Sequence, residues 1–306
     1  MVLLRKSSEL QLHKNCKVMI YGQAGCGKTT LALSAAKPLL LDFDGGVGRV
    51  RPAHLEPASF LQVEKWEEIV SLLSEERALL EPFDTIIVDT IGKMMDFIQE
   101  YRCHGAQPRL QDWGRINGDF KWFTTELGKL GKDLVFVAHC TDDKRGEEMV
   151  FKPQLRSKNY CDIVTELDLV GYMEMKAVNG RQVRRITFNP TSENTGKNTC
   201  DLPSEIFIPA AGNVNTFMAD TIIGAFRKRE GEREKDIAAY KRTLEEVTDA
   251  VAQITDAESA TRFANDIKDA SYPNDVMMRA RTMFAAKVKD LGLTWDKDQK
   301  CYVKAA

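Results

Sequence analysis

The chain has 306 residues, 43% hydrophobic and 29% charged, with a formal net charge of -2, a balance that excludes a disordered or membrane-embedded class. Its length exceeds the usual single domain, so a core of about 200 residues with a smaller appendage is expected. The near-neutral charge removes any global electrostatic case for nucleic acid, so such a contact has to be local. Seven cysteines without a CxxC pair point to free thiols in a reducing compartment. Cys103-His104 and His139-Cys140 lack a second paired ligand set at finger-like spacing, which argues against zinc. The apolar runs Leu39 to Leu41 and Leu134 to Ala138 are too short to span a bilayer, and Met1 to Leu12 lacks a signal-peptide apolar stretch. A cytoplasmic protein without membrane contact is therefore expected.

From Val18 to Ala138, short apolar runs alternate with amphipathic stretches, which predicts an α/β unit with a mostly parallel sheet. Val18 to Tyr21 reads as the first strand and Thr30 to Ala36 as a helix. Between them Gly22-Gln23-Ala24-Gly25-Cys26-Gly27-Lys28-Thr29 satisfies GxxxxGK[ST] at every fixed position, the pattern of a phosphate-binding P-loop. Glycines let the backbone curl so that several N–H groups face one anion, and the helix start adds its positive dipole end. Lys28 is expected to reach the β and γ phosphates of a nucleoside triphosphate, and Thr29 to offer its hydroxyl to Mg²⁺. Thr30 completes the predicted nucleotide contacts.

Leu39 to Asp42 is the next strand, and Val63 to Leu80 places Val63, Trp66, Ile69, Val70 and Leu73 on one helical face before Pro82. Thr85 to Asp89 is a β-branched run that delivers a carboxylate to the sheet edge, the form of a Walker B strand, with Asp89 set to hold the Mg²⁺ shell opposite Thr29. A helix over Ile91 to Tyr101 and a polar loop through Asp112 come next. Trp113, Ile116, Phe120, Phe123, Leu127 and Leu130 then repeat in steps of three and four, a core-facing stripe. Leu134 to Ala138 is a buried strand ending at His139. Cys140 to Asp162 reads as a long polar loop, a length that implies function or mobility.

Leu167 to Met175 and Arg181 to Phe188 flank Asn179-Gly180, which predicts a β-hairpin added on the C-terminal side of the sheet. Residues from about 213 onward are helix-like, and the charge-dense Arg227 to Glu246 reads as a solvated helix face. The expected organisation is a core over 1–212 and a small helical domain over 213–306.

Hydrolysis requires a carboxylate that orients or deprotonates water beside the γ-phosphate. The residue after Asp89 is Thr90 rather than glutamate, so the acid must come from elsewhere. Asp42 and Asp44 end a strand and, two apart, share a face; they serve either as the acid or as caps of the Gly45-Gly46 turn. His139 either contacts the γ-phosphate from its strand tip or is a satisfied buried histidine.

These features resemble the RecA-like ATPases, in which the catalytic acid comes after the second strand and a polar γ-phosphate sensor ends a later strand before a DNA-contacting loop. The likeness is closest to phage-encoded RecA-core nucleotide-binding proteins of AAA type, including the RecA-like single-strand annealing ATPases, through the P-loop, LDFDGG, IIVDT, DWGRIN and FVAH over roughly residues 15 to 210. The resemblance implies an ATP- and Mg²⁺-dependent hydrolase with Asp44 as the acid, assisted by Lys28, and His139 as the sensor. It implies a homo-oligomer in which Lys197, in a segment similar to the KNRFG element, reaches a neighbouring subunit's nucleotide. Thr199 stands where that element carries arginine, and Asp44 is shorter than the family's glutamate. The resemblance further implies single-stranded DNA as partner in recombination or annealing, alongside other recombination or replication proteins, through Arg115, Lys144, Arg145, Lys152, Arg156 and Lys158, with Phe151 and Tyr160 placed for base stacking. A nucleotide-switched interaction protein and a small-molecule phosphotransferase are the alternatives.

Overall fold

The computed structural model describes residues 14–145, 148–210, 212 and 214–305. By chain contacts these fall into two units, 14–230 and 231–305.

The first unit is built on a ten-stranded sheet. Its strands are β1 (Lys17–Gly22), β2 (Pro38–Asp42), β3 (Ser59–Gln62), β4 (Thr85–Asp89), β5 (Asp133–Arg145), β6 (Glu148–Pro153), β7 (Leu169–Val178), β8 (Arg181–Thr187), β9 (Lys197–Asn198) and β10 (Ile206–Ile208). The order β7-β1-β5-β4-β2-β3 is parallel throughout. The β7–β8 hairpin turns at Asn179-Gly180 and extends the sheet antiparallel, with β10 beyond it. The α/β core with a hairpin addition is thus the expected one.

Alternation along the strands divides the interior. Met19 and Tyr21 of β1 face a core with Trp66, Ile69, Met94, Ile98, Phe120 and Phe123, whereas Val18 and Ile20 face one with Leu31, Val135, Ile222 and Phe226. Strands covered on both faces have to be apolar on both, and β2 and β4 are buried at every position. The first face is covered by α3 (Trp66–Ser74), α4 (Ile91–Cys103) and α5 (Asp112–Gly128), which come after α1 (Lys28–Ala32) and α2 (Pro52–Leu55) in the chain. The stripe on α5 faces inward as expected, with Ile116, Phe120, Phe123 and Leu127 buried.

Several elements of the sheet unit differ from expectation or have no counterpart in it. The P-loop helix α1 ends at Ala32 instead of running to Ala36, and the expected helix to Leu80 stops at Ser74, with a 3₁₀ turn over Arg77–Leu80. β3 carries no apolar alternation because it is an edge strand with Phe60 half exposed. The largest change falls on Cys140 to Asp162: β5 continues through Arg145, pairs antiparallel with β6, and is succeeded by α6 (Ser157–Glu166). The hairpin meets the core through Val150 and Phe151 and is otherwise mostly polar, as an antiparallel pair can be, so no long apolar run marks it.

The composition change near 213 precedes the division between the units. Met218, Ile222, Ile223 and Phe226 are buried in the core that also holds Leu31 and Ala32 of α1, and Met218 N donates to Ser34 Oγ at 2.9 Å. Arg227 Nη2 reaches the buried Asp133 Oδ2 at 2.6 Å, so the start of α7 (Gly224–Ala252) belongs to the sheet unit.

The second unit contains the rest of α7, then α8 (Ala257–Asp269), α9 (Asn274–Asp290) and a hairpin of β11 (Leu293–Asp296) with β12 (Cys301–Lys304). Val251, Ile254, Ala260, Phe284, Val288 and Leu293 form its core. Asp256 and Ser259 close a reciprocal capping box at the start of α8. The terminal hairpin adds strands to a region expected to be helical. Among the described residues no helix is long and apolar enough to cross a membrane.

Candidate nucleotide-binding site

The parallel strands of a doubly covered sheet end at one edge, and the loops leaving that edge make the site. β5 lies between β1 and β4, with Gly22 level with His139 and Asp89 level with Val137. The P-loop, His139 and Asp89 therefore come together through strand order alone. β2 beside β4 brings Asp44 to the same edge, where Phe43 N and Asp44 N both donate to Asp89 O at 2.7 and 3.2 Å.

The P-loop backbone needs its glycines for two different reasons. Gly25 and Gly27 have φ of +80° and +95°, in the region that disfavours a side chain. Gly22 is constrained by crowding: a Cβ there would stand 2.0 Å from Met173 O on β7. Cys26 is buried beneath the loop, where burial pushes its thiol pKa up. Lys28 is also buried, and its Nζ donates to Gly22 O at 3.0 Å and Gln23 O at 2.9 Å.

Thr29 Oγ1 donates to Asp89 Oδ2 at 2.5 Å. Burial first, then Asp42 and Asp44, raises the Asp89 pKa to about 6, while the Thr29 hydroxyl and Lys28 oppose the rise. One carboxylate and one hydroxyl, both hard oxygen donors, suit Mg²⁺, which keeps waters and takes substrate phosphates for its other positions. Thr90 does not replace a catalytic glutamate; its Oγ1 accepts from Lys93 N at 3.2 Å and caps α4.

Asp42 and Asp44 do not act alike, contrary to the shared face expected of them. β2 ends at Asp42, whose carboxylate turns back and accepts from Asp44 N at 3.2 Å, Gly46 N at 3.0 Å and Val47 N at 2.9 Å. Asp42 is the turn cap. Asp44, past the strand end, faces the cleft with Oδ2 at 3.4 Å from Arg49 Nη2 and 3.8 Å from His139 Nε2. Burial, then Lys28, lowers the His139 pKa; Asp44 opposes this and Arg49 adds to it, so the imidazole stays neutral at neutral pH.

These groups line a cleft of about 650 Å³, within the ordinary range for small-molecule sites. Ala24, Gly25, Gly27, Lys28, Thr29, Thr30, Asp44, Asp89 and His139 all border it. So do Arg49, Arg51, His54 and Arg184, which the sequence alone did not mark. Arg49 and Arg51 lie only a few residues beyond Asp44, a proximity that could have singled them out. Arg184 carries no local signal, because the register of β8 brings it there.

Lys197 lies elsewhere. Its pairing on β9 aims Nζ at the last turn of α6, where it donates to Val164 O at 3.0 Å and Thr165 O at 3.3 Å, and it does not border its own chain's cleft.

The basic residues after β4 and β5 are only partly gathered. Arg156 lies over the Trp113 ring at 3.1 Å from its centroid, which draws the start of α6 to the start of α5, where Arg115 is exposed; Lys158 is exposed on α6. Lys152 pairs with Asp143 at 2.7 Å across the β5–β6 hairpin. The backbone places Lys144 and Arg145 at the end of β5, and their side chains lie outside the described residues. Phe151, expected to be free for stacking, lies parallel to Tyr172 at 5.3 Å, since β6 packs back on the core.

A family model described as an AAA domain, AAA_24, matches residues 14–200, more than half of the chain. The chain belongs to the AAA_24 family. The match covers the P-loop, Asp44, Asp89 and His139, and it agrees with the AAA-type P-loop core read from the motifs. A curated relative, the SPbeta prophage-derived uncharacterized protein YorG of Bacillus subtilis, is 25% identical over 173 residues, 53% of this chain and 51% of its own. The chain thus spans about half the length of that relative. Among solved structures, a KaiC-like protein of Pyrococcus horikoshii is 12% identical with a TM-score of 0.35, covering 56% of this chain and 77% of its own. The flagellar accessory protein FlaH of Methanocaldococcus jannaschii is 10% identical with a TM-score of 0.38, covering 66% and 93%. Overlap at that level carries nothing about activity.

Proposed function

We propose that this AAA_24 member binds ATP with Mg²⁺, hydrolyses it, and uses the nucleotide state to control single-stranded DNA binding in phage recombination or annealing. The observation that carries the ATPase part is the convergence of Lys28, the Thr29–Asp89 pair, Asp44 and His139 on one cleft. Lys28, held by two carbonyls of its own loop, exchanges them for β and γ phosphate oxygens. Thr29 and Asp89 would hold Mg²⁺, which when bound offsets phosphate charge. Asp44 accepts a hydrogen bond from the attacking water and orients it. Its pair with Arg49 is exposed and weak, so an incoming phosphate draws Arg49 away at little cost.

His139 supplies the link to the partner surface. It is the last residue of β5 level with β1, and the next residue begins the antiparallel hairpin with β6. Its carbonyl accepts from Gln154 N at 2.8 Å, tying the far end of the hairpin to the same point. A side chain that senses the γ-phosphate there is in position to shift the hairpin and the Arg115, Arg156 and Lys158 surface. A homo-oligomer with ATP near a subunit boundary is part of this reading.

The test measures ATP hydrolysis with and without single-stranded DNA, and DNA binding across a salt series with ATP, with ADP and without nucleotide. Nucleotide-dependent DNA binding that weakens with salt is expected. Its absence at low salt removes DNA. A second reading, a nucleotide-switched protein-interaction module, is favoured by the Lys152–Asp143 pair and by Arg156 spent on Trp113. Partner capture that depends on ATP and not on DNA distinguishes it.

A further inference from the structure

Arg184 and Arg185 are successive residues of β8 and therefore leave opposite faces of the sheet. Arg185 is consumed by carboxylates, pairing with Glu174 and Glu205. Arg184 meets none among the described residues; its Nε donates to Cys26 O at 2.9 Å in the P-loop. The guanidinium lies against the loop so closely that a Cβ on Gly27 would be 2.9 Å from Nε. A cation held against a phosphate-binding backbone by one carbonyl keeps most of its donors for something else.

The position of Arg184 along the cleft says what that is. Asp44, His139 and Asp89 border the cleft, and in the function proposed above they face the terminal phosphate. A small adjoining recess lined by Gly27, Thr30, Leu31, Arg184, Ile208 and Asn215 includes none of those three, and Arg184 and Thr30 border both spaces. A triphosphate laid along the loop with its γ end at Asp44 would bring its α-phosphate to the start of α1, where Gly27 and Thr30 border Arg184.

Building on the nucleotide-site reading, we propose that Arg184 is an intra-chain clamp on the α-phosphate and ribose side of a bound nucleoside di- or triphosphate. Arg49, beside Asp44, serves the γ end instead. The two arginines thus divide the nucleotide: one recognises what ATP and ADP share, and the other what only ATP has.

The test is equilibrium binding of fluorescent ATP and ADP analogues to wild type, Arg184→Ala, Arg184→Gln and Arg49→Ala, with thermal melting of each unliganded protein. Arg184→Gln keeps a donor for the Cys26 carbonyl and removes only the charge, so it isolates binding from local packing. Both Arg184 variants are expected to lose about tenfold or more in affinity for ATP and ADP alike, the worth of a charge-assisted contact. Arg49→Ala is expected to weaken ATP more than ADP. ADP affinity equal to wild type in Arg184→Gln overturns the clamp while leaving the nucleotide site standing. Wild type that binds neither nucleotide overturns the site and the clamp together.

Discussion

The cleft has two walls that are made differently. The P-loop wall is backbone, and its residue types are dictated by local conformation: positive φ at Gly25 and Gly27, crowding at Gly22, a buried ammonium at Lys28. The opposite wall is side chains from strand ends, where Asp44, Asp89 and His139 meet only because β5 and β4 separate β1 from β2. A wall of backbone is specified by neighbours in sequence, and a wall of strand ends by neighbours in the sheet. Removing a group from the first should abolish nucleotide binding, whereas removing one from the second should leave binding intact and slow the chemistry.

Lys28→Ala is the severest break, because no other group replaces a buried ammonium beside the phosphates. ATP affinity or turnover should fall by about a hundredfold or more, read by calorimetry and phosphate release. Asp42→Ala tests the difference between two acids two residues apart. It strands the Gly46 and Val47 amides that the carboxylate now accepts, so chemical denaturation should show a loss of about 1–3 kcal/mol. Asp44→Ala should leave stability nearly unchanged, as an exposed ion pair contributes little. The smallest effect is at His139. Burial lowers its folded pKa below 6.5, so the unfolded chain binds the proton first as pH falls. Wild type should therefore lose stability relative to His139→Gln on acidification below about 6.5, and the two should run in parallel at higher pH.

The same distinction governs how much of the molecule was legible in its residues. The P-loop, the buried strand Thr85 to Asp89, the inward stripe on α5 and the Asn179-Gly180 hairpin were legible because each is specified within about twenty residues of itself. Asp44 was legible as a candidate but not separable from Asp42, since the periodicity of a strand says nothing about where the strand stops. The β5–β6 hairpin was hidden by its polar faces, and Phe151 was misread as free because its partner Tyr172 lies on another strand. Arg184 and the terminal β11–β12 hairpin have no local signature, and Lys197 meets a helix end that the sequence does not place beside it.

In the proposed function Asp44 supplies the carboxylate of an ATP-hydrolysing cleft. This role is tested most directly by single-turnover release of phosphate from prebound ATP in wild type and Asp44→Asn. Asp44→Asn should bind ATP with wild-type affinity and release phosphate slower by about 10²-fold or more. Equal release rates in the two proteins would remove Asp44 from the chemistry.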